Sequence, residues 1–291
     1  MIFHELDKVT PQKERARFDP WQAALTGRLQ PSGATITFLG NRVLKSAEGK
    51  SATRLQQQAD WLLSASAAGN RNLPKVLDFF RQEERGTLIR FAYIMPRYGT
   101  PPEDPLVVAS QAHAALRPLW SGSYRQTLSF DPVGYAERLA ALVCPFDAHA
   151  GEELLALASC LNWEGRTKAA TVHGDPTYEN LAWDPDNGII LLDPNIQSSP
   201  SVLCPELDIA KLMLSLGGWE DFVSGKSQYI SPGRMITTAL DRFSANYCVA
   251  SIYWLAAGHL IRTLPYGAKR CAPESVLPSI RQWLSASRAH L

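Results

Sequence analysis

The first hundred residues alternate apolar and polar positions with the period of two that is typical of half-buried β-strands. The clearest run is Ala34–Phe38, and a Gly40-Asn41 turn signal leads from it into a returning strand, Arg42–Lys45. Two further strands are predicted at Leu77–Gln82 and Thr87–Met95. This pattern predicts a small, mainly antiparallel β-sheet in the first part of the chain.

Apolar residues recur at helical spacing elsewhere. Between the two strand pairs, residues 52–65 place Leu55, Ala59, Leu62 and Leu63 on one face, so we expect a helix there. Beyond a proline-rich linker at residues 100–105 the chain has a mainly helical pattern. Helices are predicted over residues 106–120, 132–143, 152–161, 247–261 and 273–291.

Composition limits the classes of partner. The chain has 291 residues, 45% of them hydrophobic and 20% charged, and its formal net charge is +1. No overall field therefore favours nucleic acid or an anionic membrane, and we expect neither as a partner. The oligomeric state stays open.

The cysteines and apolar stretches bear on localisation. The five cysteines are scattered without a Cys-x-x-Cys spacing, which argues against a disulfide framework or a structural zinc site and favours a cytoplasmic protein. The first twenty residues lack the apolar core of a signal peptide. Tyr247–Ile261 contains Ser251 and His259 and is short for a membrane span, so it is predicted to be a buried helix.

The chemistry is concentrated in residues 172–195, which have the sequence VHGDPTYENLAWDPDNGIILLDPN. Asp175 stands in a turn, and Asn180 follows five residues later. The run Asp-Pro-Asp-Asn-Gly then predicts a hairpin turn, and the second hairpin strand ends at Asp193. The hairpin should return Asn180 and Asp193 to the same end, beside Asp175. Two carboxylates and an amide in such surroundings suit Mg²⁺, with substrate phosphates completing its coordination.

These motifs point to a family. HGDPTYEN followed by LLDPN, and then by PELDIAKLMLSLGG at Pro205–Gly218, resembles the aminoglycoside phosphotransferase and choline kinase-like group of small-molecule kinases. The resemblance implies an α+β, bilobal, protein-kinase-like fold, with a β-rich N-lobe over residues 1–97 and a mostly helical C-lobe over residues 98–291. It also implies ATP and Mg²⁺ as cofactors, and transfer of the γ-phosphoryl group to a hydroxyl of a small molecule.

The same resemblance implies roles for residues of the second lobe. Asp175 is the expected catalytic residue, which orients the acceptor hydroxyl and accepts its proton, while Asn180 and Asp193 are the expected metal ligands. Asp208 is expected to brace the loop that carries Asp175, and as a carboxylate at a helix start it can also cap backbone N–H groups.

In the first lobe, the turn at Ser32-Gly33 would cover the nucleotide phosphates and Lys45 would reach them. The family places a glutamate in the following helix to pair with this lysine, and the register puts Gln58 at that position. An amide can orient an ammonium group but supplies no neutralising charge.

The strand that ends near Met95 is interpreted as the hinge between the lobes. Backbone groups near Met95 and Arg97 are expected to bind adenine, whereas Pro96 has no N–H to donate.

Two alternatives remain open from the residues. Gln58 and a turn with a single glycine fit a catalytically weak or inactive kinase-like protein that binds nucleotide. A protein kinase is the other, although Thr177 stands where protein kinases usually place a lysine, and Asp-Pro-Asn replaces Asp-Phe-Gly. The acceptor is also open. The LLDPN and DIAKLMLS pairing resembles kinase-like proteins found near bacterial polysaccharide synthesis, which implies a sugar or saccharide precursor as one candidate.

Overall fold

Two units divide the chain, Met1–Gly99 and Thr100–Leu291, and each is described by itself. The computed structural model describes residues 19–30, 33–121, 131–163, 172–195, 204–243, 247–265 and 272–291. Ser32, for which a role at the phosphates was predicted, lies outside the described residues.

The first unit is built on a five-stranded antiparallel sheet with the order β1-β2-β3-β5-β4. Its strands are β1 (Arg28–Leu29), β2 (Ala34–Leu39), β3 (Arg42–Glu48), β4 (Asp78–Glu84) and β5 (Thr87–Pro96), and its helices are α1 (Pro20–Ala24) and α2 (Lys50–Ala67). The β4–β5 turn places Arg85 and Gly86 at positive φ, as a type I′ hairpin requires.

The central strand β3 is buried continuously from Val43 to Ala47 instead of alternating. Leu44 belongs to a cluster on one face of the sheet, against which Trp21 at the start of α1 packs. Lys45 points to the other face, where its side chain contacts α2. Because both faces of β3 are covered, its polar positions are also removed from solvent. Helix α1 was not predicted, since five residues are too few to establish a helical period.

The second unit is mainly helical. Its helices are α3 (Pro105–Ser121), α4 (Pro132–Val143), α5 (Ala148–Cys160), α6 (Pro205–Leu216), α7 (Trp219–Val223), α8 (Arg234–Phe243), α9 (Val249–Ile261) and α10 (Pro273–Arg288). A 3-10 turn at Tyr178–Asn180 precedes a hairpin formed by β6 (Leu181–Asp184) and β7 (Gly188–Leu191).

Helix α9 forms the centre of the second unit. Its residues 250–261 are all buried, and it packs against α10 and α6. Two buried tryptophans nearby have partners for their indole N–H groups: Trp254 donates to Leu154 O at 3.0 Å, and Trp283 donates to Ile230 O at 3.1 Å. The predicted buried helix is therefore present as a central packing element. No helix among the described residues is long and apolar enough to cross a membrane.

His113 on α3 is held in an aromatic cluster. Its ring stacks on Phe243 with the ring centroids 4.2 Å apart, and its Nε2 lies 3.3 Å from the Tyr247 hydroxyl. Burial, reinforced by the charge of Arg117, lowers the pKa of His113 to about 4. The folded protein therefore keeps this ring neutral at pH values where an unfolded chain would protonate it.

A pH-dependent loss of stability follows. Between pH 6.5 and 4 the unfolded chain binds more protons at His113 than the folded chain, so the free energy of unfolding falls as the pH falls. The slope from this residue cannot exceed about 1.4 kcal/mol per pH unit, because a single ring exchanges at most one proton. Urea unfolding of the parent and of His113→Phe at pH 7.5, 6.0 and 5.0 measures it. We expect a flatter dependence in the variant, and identical slopes would contradict the assignment.

Candidate active site

One buried carboxylate holds the segment that carries the candidate catalytic residue, residues 172–180, which we call the HGD loop. Asp208 on α6 is fully buried. Its Oδ2 accepts hydrogen bonds from His173 N at 2.9 Å and from Trp120 Nε1 at 3.0 Å, and its Oδ1 accepts one from Gly174 N at 2.7 Å. Burial raises the pKa of Asp208, while these donors and His173 act in the opposite direction.

These contacts refine the expectation for Asp208. The residue lies in the first turn of α6, whose N-cap, Cys204, makes no side-chain capping bond. The Asp208 oxygens accept from N–H groups 34 and 35 residues earlier in the chain. The prediction that this carboxylate can cap its own helix is wrong in this respect, because its acceptor capacity is used by the HGD loop and Trp120.

The HGD loop makes a sharp turn around His173. Gly174 adopts a φ of +80°, a left-handed conformation that glycine reaches without strain. The His173 ring is completely buried, and burial lowers its pKa. The carboxylates of Asp208, Asp175 and Asp193 each act against that shift, in this order of size. Three carboxylates are therefore close enough to the same imidazole to influence its charge.

Both carboxylate oxygens of Asp175 have partners within the second unit. Lys211 Nζ lies 2.9 Å from Oδ1, and Asn180 Nδ2 donates to Oδ2 at 3.2 Å. The side chain is 30% exposed, so it remains accessible to a ligand. The carboxylate is thereby fixed in direction by two groups that donate to it.

The orientation of the Asn180 amide is set by its contacts. Its Nδ2 also lies 2.9 Å from the backbone oxygen of Asp175, and a carbonyl oxygen can only accept a hydrogen bond. The NH₂ group must therefore face Asp175. This leaves Oδ1 of Asn180, an oxygen of the kind that hard cations prefer, as the group able to bind a metal.

The hairpin brings Asp193 back to the HGD loop. Leu192 N donates to Asn180 O at 2.7 Å, and Asn195 N donates to His173 O at 2.8 Å. Asp193 lies between these two hydrogen bonds, at a φ of +53°. Aspartate is one of the few residues that adopt this left-handed conformation readily. The structure therefore places the predicted metal ligands on adjoining segments.

The donor set fits Mg²⁺ under one condition. Among the described residues there is no group of three or more His, Cys, Asp or Glu side chains arranged to hold a metal ion. A cation at Asn180 and Asp193 would depend on further oxygens from bound phosphates and water, which is how Mg²⁺ is usually held in proteins.

The end of the HGD loop is also fixed by backbone contacts. Tyr178 N donates to Glu220 Oε1 and to Ser215 Oγ, both at 3.1 Å, and the Tyr178 hydroxyl donates to Pro105 O at 2.7 Å. Burial, with a contribution from the Glu220 charge, raises the pKa of this tyrosine. Tyr178 is therefore a structural anchor at the start of the 3-10 turn.

In the first unit, Lys45 contacts the residue predicted from the helix register. Lys45 is 4% exposed, and its Nζ donates to Gln58 Oε1 at 3.0 Å. The same oxygen lies 3.4 Å from the hydroxyl of Tyr93, the residue directly opposite Lys45 on β5. The structure therefore brings Lys45 and Gln58 together. The group that accepts from the lysine is a neutral amide oxygen, whereas a glutamate at this position would supply a negative charge.

Gly33 precedes β2 at a φ of +82°, and a Cβ atom there would lie 2.5 Å from the Ser51 side-chain oxygen. Only a residue without a side chain fits this backbone without a shift of Ser51. Whether this turn covers phosphates stays a prediction.

The predicted adenine contacts lie at the end of β5. Met95 is 7% exposed and faces Val43 in the sheet register. Arg97 N donates to Asn41 O at 2.8 Å, and the Arg97 guanidinium lies 5.1 Å from the centre of the Phe38 ring. The Arg97 N–H is therefore already paired. That the Arg97 carbonyl and the backbone groups near Met95 contact a nucleotide stays a prediction.

Comparisons with known proteins define the class of fold. No protein-family model matches the chain, and no curated protein matches its sequence. The likeness appears in solved structures, and these are small-molecule kinases with the protein-kinase-like fold. The predicted α+β fold class and the predicted structural resemblance are confirmed at this level.

Three of these structures illustrate the match. An aminoglycoside 2′-phosphotransferase, solved as a GDP complex, has 10% identity and a TM-score of 0.58, over 91% of this chain and 92% of its own. A choline kinase from Streptococcus pneumoniae has 13% identity and a TM-score of 0.56, over 88% and 90%. A protein from Haemophilus somnus that is named as a putative fructosamine-3-kinase has 12% identity and a TM-score of 0.54, over 89% and 90%. At such identities the comparison establishes the fold.

Sequence reasoning missed three residues that contact the HGD loop: Lys211, Ser215 and Glu220. A signal was present in α6, where the polar residues Asp208, Lys211 and Ser215 are spaced i, i+3 and i+7 among mainly apolar residues. Such spacing places them on one face. That face carries the groups that contact His173, Gly174, Asp175 and Tyr178.

The brace at Asp208 predicts a specific order of stability losses. Asp208→Asn replaces one acceptor oxygen with an NH₂ group, so a buried backbone N–H of the HGD loop loses its acceptor, and we expect a loss of about 2–4 kcal/mol. Trp120→Phe removes one donor and leaves both backbone N–H groups paired, at a cost of about 1 kcal/mol. Urea unfolding at pH 7.5 measures both, and equal losses would contradict the brace.

Proposed function

We propose that the protein is an ATP-dependent phosphotransferase that moves the γ-phosphoryl group to a hydroxyl of a small molecule. The observation that carries the proposal is the arrangement around Asp175. This partly exposed carboxylate is fixed through both oxygens, beside an amide whose oxygen is directed away from it. The fold, which small-molecule kinases share, supports the same reaction class.

Asp175 is the proposed catalytic residue. It accepts a hydrogen bond from the acceptor hydroxyl and orients its oxygen toward phosphorus. As the new O–P bond forms, the hydroxyl proton passes to Asp175, and the bond from phosphorus to the bridging oxygen breaks with its electron pair left on ADP. A carboxylate with ordinary basicity suffices, because positioning and charge neutralisation dominate phosphoryl transfer.

Asn180 and Asp193 are the proposed magnesium ligands, through Oδ1 and a carboxylate oxygen respectively. When bound, Mg²⁺ would supply neutralisation of phosphate charge. The left-handed backbone at Asp193 and the fixed amide of Asn180 hold these donors in place before any ligand arrives.

Lys45 is the proposed anchor for the nucleotide phosphates. Its ammonium group is buried and donates to Gln58 Oε1, which fixes its direction, and this neutral amide adds no negative charge. Gly33 and the groups near Met95 and Arg97 complete the proposed nucleotide contacts.

The proposed acceptor is a small polar molecule, and a sugar or saccharide precursor is the class that the sequence resemblance favours. The similar solved structures include a choline kinase, an aminoglycoside phosphotransferase and a fructosamine kinase, so this fold accommodates acceptors of several kinds.

A metabolite screen tests the reaction. Purified protein is incubated with Mg²⁺, ATP or GTP and a panel of sugars, amino sugars, amino alcohols and aminoglycosides, and products are detected by the mass gain of one phosphate. We expect one acceptor class to be phosphorylated, with turnover reduced at least 10³-fold in Asp175→Asn, whose amide cannot take the proton. Unchanged turnover in this variant would exclude Asp175 as the catalytic residue.

A second candidate is a protein that binds nucleotide with little or no transfer. The observation that favours it is Gln58, which gives Lys45 an orienting oxygen but no negative charge. Nucleotide binding without consumption of ATP in the presence of any acceptor would support this candidate.

Gln58→Glu separates the two candidates. If the amide limits catalysis, a carboxylate at this position should pair with Lys45 and raise kcat about tenfold or more, with Gln58→Ala as the control that removes the oxygen. If the amide is part of a working enzyme, the Glu variant should gain little, since its charge competes with phosphate for Lys45. Steady-state kinetics and equilibrium binding of Mg·ATP distinguish these outcomes.

A further inference from the structure

We infer that Lys211 is a second catalytic residue of the proposed transfer, and that its ammonium group binds the phosphoryl group as it passes to the acceptor. The inference rests on the proposed function and adds a residue that motif reasoning did not identify. It is carried by the contact between Lys211 and Asp175, by the position of Lys211 on α6, and by the charges around it.

The position of Lys211 is determined by the same helix that braces the HGD loop. Asp208 binds the backbone of His173 and Gly174, and Lys211, three residues later on α6, reaches the side chain of Asp175. The two contacts lie on one face of a helix that is otherwise largely buried. The ammonium group is therefore held by the element that also fixes the catalytic carboxylate.

Geometry places this ammonium group within reach of the reaction. Lys211 Nζ is 2.9 Å from Asp175 Oδ1. An acceptor hydroxyl must lie within about 3 Å of the same carboxylate to give it a proton. The phosphorus that bonds to this hydroxyl oxygen carries the phosphoryl oxygens with it. An ammonium group that is paired with the carboxylate therefore lies beside these oxygens during transfer. An ammonium group has three N–H donors, and the contact with Oδ1 engages one of them.

The charges around Asp175 favour a cation at this point. Asp175 belongs to the HGD loop and Asp193 lies beside it, and both act electrostatically on His173. The transferring phosphoryl group spreads its negative charge over three equatorial oxygens and would be repelled by an uncompensated Asp175. Lys211 is 21% exposed and forms an ion pair with the carboxylate that this group must approach.

The reaction itself redistributes the charge of Lys211. Before transfer, the ammonium group compensates the Asp175 carboxylate. As the O–P bond forms and the hydroxyl proton moves to Asp175, that carboxyl becomes neutral, and the negative charge it loses appears on the phosphate ester and ADP. Lys211 can then interact fully with the phosphoryl oxygens, so its stabilisation grows along the reaction, as catalysis requires.

Kinetics of matched variants test the inference. Lys211→Met keeps a long apolar stem and removes the charge, Lys211→Arg keeps a charge, and Lys226→Met, at an exposed lysine on the segment after α7, is the control. With the acceptor found in the screen, we expect kcat of Lys211→Met to fall about 10²–10³-fold while KM for ATP changes less than threefold. Lys211→Arg should recover part of the loss, and Lys226→Met should match the parent.

A binding measurement gives a readout that does not depend on turnover. Aluminium fluoride with Mg·ADP mimics the transferring phosphoryl group, and its effect on ADP affinity is measured by calorimetry in the parent and the variants. We expect the parent and Lys226→Met to bind Mg·ADP more tightly with aluminium fluoride, and Lys211→Met to lose this gain while its affinity for Mg·ADP alone is unchanged. Urea unfolding midpoints show whether each variant is folded, and Lys211→Gln serves if Lys211→Met is not.

The outcomes separate this inference from the proposed function. If the parent transfers phosphate and Lys211→Met matches it in kcat and in the aluminium fluoride gain, the role of Lys211 is wrong and the kinase assignment stands. A loss of stability and of Mg·ADP affinity together, with kcat unchanged at saturation, would equally overturn it in favour of a structural ion pair. If the parent neither transfers phosphate nor gains affinity with aluminium fluoride, both proposals fail.

Discussion

The buried carboxylate of Asp208 is the constraint on which the geometry of the second unit's site depends. It has no contact with solvent and accepts hydrogen bonds from His173 N, Gly174 N and Trp120 Nε1. A carboxylate without such donors would be costly to bury, and the two backbone N–H groups would be equally costly to leave unpaired. The buried carboxylate therefore requires the N–H donors, and the N–H groups require the carboxylate. This mutual dependence joins the HGD loop to α6 before any ligand is present.

Helix α6 extends this constraint along the loop. Residues 208, 211 and 215 repeat with the spacing of one helical face, and they contact the loop at residues 173–174, 175 and 178 in the same order. The hairpin adds a second fixed edge through hydrogen bonds from Leu192 to Asn180 and from Asn195 to His173. Since these contacts hold the loop along both edges, little conformational freedom remains at Asp175. Preorganisation of this kind is what positioning a hydroxyl for transfer demands.

Local signals allowed much of the fold to be predicted from the sequence. The β2–β3 and β4–β5 pairs, the β6–β7 hairpin, α2 and the buried helix α9 follow from period, turn residues and length. The contact of Lys45 with Gln58 was implied by the family resemblance, with the helix register giving the position. The short helix α1 was missed because five residues establish no period. The ion pair of Lys211 with Asp175 was missed because the two residues lie 36 positions apart and no sequence pattern links a lysine to a particular distant aspartate. The paired state of the Arg97 N–H was missed for the same reason.

The three carboxylates near His173 show why one residue type can take three roles. Two unit charges about 4 Å apart interact by about 4 kcal/mol at an effective dielectric constant of about 20, so unshielded carboxylates around one imidazole would repel each other strongly. Asp208 is buried and bound by N–H donors, which suits a brace and excludes contact with a ligand. Asp175 is partly exposed and paired with Lys211, which fits its proposed role as the proton acceptor beside a phosphoryl group. Asp193 lies at a left-handed backbone position just after the hairpin, which fits its proposed role as a metal ligand. The three side chains are chemically identical, so the surroundings of each carboxylate determine which role it can take.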